Sequence, residues 1–240
     1  MQGVAIVVGG TRRVGRWVSE ALLVEGYQVH ALFRSDVSAA QSFQQKMRTA
    51  KYDAHTHQID ATKAASLTDL VQAIAEGAGG INLLVNATGA ANSGSLVATS
   101  AEELTALYQG NMLSVHNAVT ACVPYLRKDG GRIINFLSAG VDSGKAFSQV
   151  PAYAAAKSML HSYSRSLARE LAGDHVTVNC IALGITELAP EGAPGVDAEK
   201  LPMGKAVSLE DVASAIWYLA GPGAKQLTGT VLNLSGGWGL

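Results

Sequence analysis

A chain of 240 residues with 48 % apolar side chains has enough material for a full core, in one large α/β domain or two smaller ones. Its formal net charge of -1 excludes the broad cationic surface that nucleic acid or another polyanion requires of a partner. No apolar run approaches the ~20 residues of a membrane-crossing helix. With a first strand starting at about Gly3 there is no room for an export signal, so a soluble, cytoplasmic protein is expected.

In chain order, short β-branched runs alternate with longer segments of helical period. Val4–Val8 predicts a first strand and about Val14–Glu25 a helix. Strands follow at Gln28–Phe33, Ala54–Ile59 and Ile81–Asn86, with helices near Ser38–Ala50 and Ala64–Glu76 between them. A long helix covers roughly Ala101–Arg127, in two parts or bent. Arg132–Ser138 reads as strand, about Ala152–Ala172 as helix, Val176–Ile181 as strand, Leu209–Ala220 as helix and Thr230–Leu234 as the last strand. The strands are almost continuously apolar, as expected where both faces of a sheet are covered. This alternation predicts an α/β fold, a doubly wound parallel sheet of about seven strands with right-handed crossovers and helices on both faces. The Pro/Gly-rich stretch Pro190–Gly204 reads as a loop inserted within one domain, 1–240. Cys122 and Cys180 read as small core residues rather than a disulfide.

Between the first strand and first helix stands Val8-Gly9-Gly10-Thr11-Arg12-Arg13-Val14-Gly15. Glycines allow a tight turn and close backbone approach, and a helix N-terminus offers free N–H groups to a pyrophosphate. The second strand ends in Phe33-Arg34-Ser35, where a domain selecting NAD would normally present a carboxylate to the ribose. Arg12, Arg13 and Arg34, with the Ser35 hydroxyl, suit a 2′-phosphate instead, and NADPH is expected over NADH.

Tyr153-Ala-Ala-Ala-Lys157 places a phenol and an ammonium on one helix face. An ammonium beside a phenol is expected to lower its pKa from ~10 toward working pH, where proton transfer is effective. Ser138, ending the Arg132–Ser138 strand, can hold a carbonyl oxygen beside the phenol. His55-x-His57 has same-face strand spacing, yet with no third ligand in sequence it reads as a solvent-facing polar pair, and no metal is expected. Trp17 and Trp217 are expected to pack their helices on the sheet.

Together these motifs resemble the short-chain dehydrogenase/reductase family over essentially the whole chain, which implies a single-domain Rossmann fold. The glycine turn is similar to the family's Thr-Gly-x-x-x-Gly-x-Gly, with Val8 for the threonine and Arg13 for the middle glycine, the latter as in pteridine reductases. The resemblance implies cofactor contacts from Gly9, Thr11, Arg12, Arg13, Val14, Gly15, Arg34 and Ser35. It implies the same for Asp60 and Ala61 at the adenine, and for Asn86, Ala87 and Thr88 in Asn86-Ala-Thr-Gly89. Asn179-Cys-Ile-Ala-Leu-Gly184 resembles Asn-x-x-x-Pro-Gly with Leu183 replacing proline, and adds Gly184 and Thr186 near the nicotinamide.

Asn111, Ser138, Tyr153 and Lys157 match the catalytic tetrad, with Tyr153 as proton donor and Lys157 also bonding the nicotinamide ribose. Asn111 would anchor a water that links Lys157 to solvent. A small insertion is expected at Asp142–Ser148. The resemblance implies hydride transfer from NADPH to a small-molecule carbonyl, and a homo-oligomer, tetramer or dimer, with the Tyr153 helix in its core. Substrate choice is expected in about Glu187–Lys205, with Ala139–Val150 opposite. Leu188, Ala189, Ala193, Val141, Phe147 and Val150 are apolar there, with Lys145, Lys200 and Lys205 the cations, which suits an uncharged carbonyl or the tip of an acyl chain. The general pattern, including the ending Leu227-Thr-Gly-Thr-Val-Leu-Asn-Leu-Ser-Gly-Gly, is similar to 3-oxoacyl-acyl-carrier-protein reductases, so a thioester-linked substrate is implied. A pteridine reductase and a non-catalytic NADPH-binding sensor or scaffold are the alternatives.

Overall fold

The computed structural model describes residues 2–188 and 201–239. Seven strands form one parallel sheet in the order β3-β2-β1-β4-β5-β6-β7. They are β1 (Gly3–Val8), β2 (Tyr27–Phe33), β3 (Ala54–Gln58), β4 (Leu83–Asn86), β5 (Arg132–Ser138), β6 (Thr177–Leu183) and β7 (Val231–Leu234). The helices are α1 (Arg13–Val24), α2 (Val37–Thr49), α3 (Ala64–Ala78), α4 (Ala101–Tyr108), α5 (Ser114–Asp129), α6 (Pro151–Leu171) and α7 (Leu209–Ala220). Strand order reverses between β1 and β4, and a doubly wound sheet opens its binding crevice at such a switch point.

Alternation along each buried strand divides the core in two. Ile6, Leu84 and Ile133 face the layer containing Leu67, Cys122 and Leu160, from α3, α5 and α6. Val7, Val85 and Ile134 face Leu22, Phe43 and Ile216, from α1, α2 and α7. Both cysteines are buried and free. Capping sets several helix starts: Ser100 with Glu103 and Ser208 with Asp211 form reciprocal boxes, and Asp36 accepts from the Ala39 amide.

The long helix expected over Ala101–Arg127 is interrupted by a π-helical turn, Gln109–Leu113, which joins α4 to α5 and carries Asn111. Such turns concentrate at functional sites because they re-aim a side chain within a helix. On α6, Leu160 and Leu167 are buried inside the chain, whereas Met159 is exposed.

Two expectations need correction. Trp17 does pack on the core, but Trp217 reaches sideways and donates Nε1–H to the Ala21 carbonyl at 3.1 Å, tying α7 to α1. The His55/His57 pair is not a simple solvent-facing one. His30 of β2 is paired in register with His55, stacks on both rings and places Nδ1 3.0 Å from His57 Nε2. Asp53 and Gln28 close this cluster at its outer end. Sequence spacing within β3 could not reveal a partner supplied by β2. Among the described residues no group of three or more His, Cys, Asp or Glu is arranged to hold a metal ion, and no helix is long and apolar enough to cross a membrane.

Candidate active site

The turn after β1 is built for close approach. Gly9 adopts φ +80°, and a Cβ on Gly15 would strike the Gly9 carbonyl oxygen. Helix α1 has no side-chain cap, unlike α2, α4 and α7, and no acid in its first turn, so its leading N–H groups are left to an anion. This cradle fits the pyrophosphate of a dinucleotide.

A cleft of about 410 Å³ opens beside it, at the carboxyl ends of β1, β2 and β4. Gly9, Thr11, Arg12, Arg34, Ser35, Asp60, Ala61 and Thr88, all expected from the sequence, line it. Asp60 accepts from the Thr62 amide and hydroxyl, which holds its carboxyl below the usual value. Gln58 and Ile59 grip the backbone that presents Arg34: Gln58 Nε2 donates to the Arg34 carbonyl at 3.2 Å and the Ile59 amide to the Phe33 carbonyl at 2.8 Å.

Other expected contacts are placed elsewhere. Arg13, Val14 and Gly15 do not line the cleft. Arg13 is exposed at φ 47°, a left-handed conformation costly for a side chain with a Cβ, and it takes that form because the turn needs it. The Asn86 side chain turns into the core, donating to Asn135 at 2.8 Å, and Asn135 in turn donates to Ser164 at 2.9 Å. Ala87 instead packs against the glycine turn, its carbonyl oxygen 3.0 Å from the Cβ position of Gly9. Gly184 follows β6 where a Cβ would lie 2.8 Å from Ser235 Cα, and Thr186 bridges to Val207, so both shape the chain entering the loop. Ala189, Ala193 and Lys200 lie outside the described residues.

Three of the tetrad candidates, Asn111, Tyr153 and Lys157, converge near the ends of β4 and β5. Lys157 is only 3 % exposed, and its Nζ donates to the carbonyls of Phe136 at 2.9 Å and Thr88 at 3.3 Å, 5.7 Å from the centre of the Tyr153 ring. Thr88 also lines the cleft, so lysine and cleft share one segment. Burial lowers the ammonium to about 8 and raises the Tyr153 phenol to about 12. The expected lowering of the phenol is therefore absent. Lys157 aims at two backbone carbonyls, and loss of water around the phenolate outweighs its attraction. Asn111 is fully buried; its Nδ2 donates to the Ala90 and Leu107 carbonyls at 3.0 Å each, while its Oδ1 has no partner. Ser138 stands at the last β5 position, paired with Leu183.

Two residues carry more than their motifs indicated. Gly89 has φ +146°, and a Cβ there would strike Asn111 Oδ1 and lie 3.1 Å from Lys157 Nζ, so only glycine lets these groups converge. Asp36 lines the cleft and pairs with Arg12 at 3.0 Å. Its position before a helical run was the available signal.

A crossover-wound sheet with a glycine cradle, a charged cleft and a buried lysine beside a tyrosine defines a dinucleotide-dependent oxidoreductase architecture. Residues 9–239 match the family model described as Enoyl-(Acyl carrier protein) reductase, and the chain belongs to the short-chain dehydrogenase/reductase family. It is 30 % identical over 240 residues to the 3-oxoacyl-(acyl-carrier-protein) reductase FabG of Vibrio cholerae, covering 98 % of this chain and 96 % of that one. It is 29 % identical over 250 residues to the rhamnolipids biosynthesis 3-oxoacyl-(acyl-carrier-protein) reductase of Pseudomonas aeruginosa, at 99 % and 96 % coverage. Among solved structures, an actinorhodin polyketide ketoreductase with NADPH superposes at a TM-score of 0.90 with 25 % identity, over 100 % of this chain and 98 % of that one. A short chain dehydrogenase from Burkholderia cenocepacia in complex with NADP also reaches 0.90, with 27 % identity and coverage of 99 % and 98 %.

Proposed function

We propose that this chain is an NADPH-dependent reductase of an uncharged ketone or 3-oxoacyl carbonyl. The observation that carries the reading is the desolvated lysine: Lys157 is sealed under the cleft wall, held by two carbonyls and set beside the Tyr153 ring. The bound nicotinamide cofactor would supply the hydride. The chain's own groups orient the carbonyl and manage its proton. A phenol raised to about 12 keeps its proton at neutral pH, the form a reducing enzyme needs for its donor. Lys157, lowered to about 8, is close enough to working pH to pass a proton onward. Ser138 would hold the carbonyl oxygen, and the unpartnered Asn111 Oδ1 is the acceptor that a relay water would use.

For the cofactor, Arg12, Arg34 and Ser35 in the cleft support a 2′-phosphate, as do the relatives solved with NADPH and NADP. For the substrate, the 3-oxoacyl relatives favour a thioester. Docking of an acidic carrier is less well supported, because Arg127 is spent on Asp174 at 2.8 Å. The pteridine reading drew on Arg13, which stands outside the cleft, and on Phe33-Arg34-Ser35, which lines it but serves a carbonyl reductase equally. A homo-oligomer joined through α5 and α6 is part of the proposal, with Met159 on that face, as are a single domain and a cytoplasmic location.

The test is NADPH oxidation with an acetoacetyl thioester, simple ketones and dihydrobiopterin in parallel. Turnover of the thioester or ketones is expected. Turnover of the pterin alone would replace the carbonyl reading. Tight NADPH binding with no turnover of any would leave a sensor.

A further inference from the structure

Three arginines, Arg12, Arg13 and Arg34, read from sequence as a phosphate site. The folded cleft is different, since Arg12 and Arg34 are joined there by two carboxylates, Asp36 and Asp60. The two acids are not equivalent. Asp60 is committed to Thr62, through hydrogen bonds of 2.9 and 2.7 Å to its Oδ1. Asp36 divides its oxygens: Oδ1 accepts the Ala39 amide at 2.9 Å and caps α2, while Oδ2 pairs with Arg12 Nη1 at 3.0 Å. It directly follows Arg34-Ser35, the segment expected to hold the 2′-phosphate.

Resting on the NADPH reading above, we propose that Asp36 is a specificity-determining residue that restrains the preference for NADPH and keeps NADH acceptable. A 2′-phosphate brings close to two negative charges. Placed among these groups it must share Arg12 with a carboxylate and meet that carboxylate's repulsion. A ribose diol meets the opposite situation, because a carboxylate accepts hydrogen bonds from its hydroxyls, the chemistry by which dinucleotide folds hold NAD. Arg12 itself is 60 % exposed, so its pair with Asp36 is weak and the arginine can be drawn away. The carboxylate cannot follow, since its other oxygen is fixed at the helix end. One residue therefore acts on both cofactors in opposite directions.

Asp36→Asn and Asp36→Ser remove the charge and keep an oxygen to cap α2, which separates the electrostatic role from a folding defect. Dissociation constants for NADPH and NADH, read from nucleotide fluorescence, give the answer at low and at high salt. Both variants are expected to bind NADPH about tenfold tighter at low salt and NADH no tighter than the parent, with the gain shrinking as salt rises. An unchanged or lowered NADPH-to-NADH affinity ratio in both variants would overturn the proposal. Failure of the parent protein to bind either nucleotide would instead remove the cofactor reading, so the two failures are distinguishable.

Discussion

At the ends of β2 and β3 the cleft is charged and wet, with Arg12 60 % exposed and paired to Asp36, whereas at the ends of β4 and β5 Lys157 is 3 % exposed among backbone carbonyls and a tyrosine ring. Charge in solvent is screened and cheaply rearranged, which suits recognition and exchange of a ligand. Charge stripped of water cannot rearrange and must shift its proton affinity, which suits chemistry. In the proposed reading, one end of the crevice selects the nucleotide and the other manages a proton. Changes at the two ends are expected to separate in kinetics, affinity at one and turnover at the other.

The largest effect should come from Tyr153→Phe, which removes the proton donor and leaves the ring: turnover falls at least ~100-fold with nucleotide affinity and melting temperature near parental values. Wild-type turnover in that variant would erase the distinction. Arg34→Ala should weaken NADPH binding by roughly tenfold or more, the scale of a hydrogen bond to a charged group, with NADH binding and the chemical step unmoved. A matching loss for NADH would mean that Arg34 supports the strand end rather than a phosphate.

The pH profile sharpens the contrast further. Because burial lowers Lys157 to about 8, the ammonium is present below that value and lost above it, and the single-turnover reduction rate should fall as pH rises through about 8. A flat profile from pH 7 to 9 would dissociate Lys157 from proton delivery.

A separate effect concerns stability at the charged end. His30 is lowered from 6.5 to about 4, first by burial and then by His55 and His57, with Asp53 opposing. Its folded value lies below its unfolded one, so the unfolded chain binds the extra proton between them. Stability is therefore full above about pH 6.5 and declines as pH falls toward 4, by at most about 3 kcal/mol. Through Gln58 and Ile59 the same strand edge supports Arg34, so NADPH affinity should weaken with it. Melting curves of the parent and His30→Gln between pH 7.5 and 4.5 test this, with a shallower acid decline expected in the variant; equal slopes would dismiss the cluster as a source of acid sensitivity.

Apolar alternation and glycine turns fixed by local sterics made the sheet readable: β5 and α7 run over the expected residues, and the other elements differ at their ends, where caps and fraying act. The positions of Ser138, Tyr153 and Lys157 at a strand end and on one helix face were legible from their own segments, whereas the π-helical turn that carries Asn111 was not. The exceptions were residues whose role depends on a neighbour from another strand or loop. His30 meets His57, Asn86 meets Asn135 and Asp36 meets Arg12, partners 27, 49 and 24 positions apart. Arg13 marks the converse case, a cation counted toward the pocket from its place in a motif, yet one that is exposed and does not line the cleft.

The sequence by itself determined the layered sheet and the glycine turn and supplied the candidate reacting groups, because these follow from short-range periodicity and backbone conformation. Tertiary structure decided their proton affinities and the net charge of the nucleotide pocket. Burial and long-range pairing are sums over the whole packed chain, and no local segment contains them.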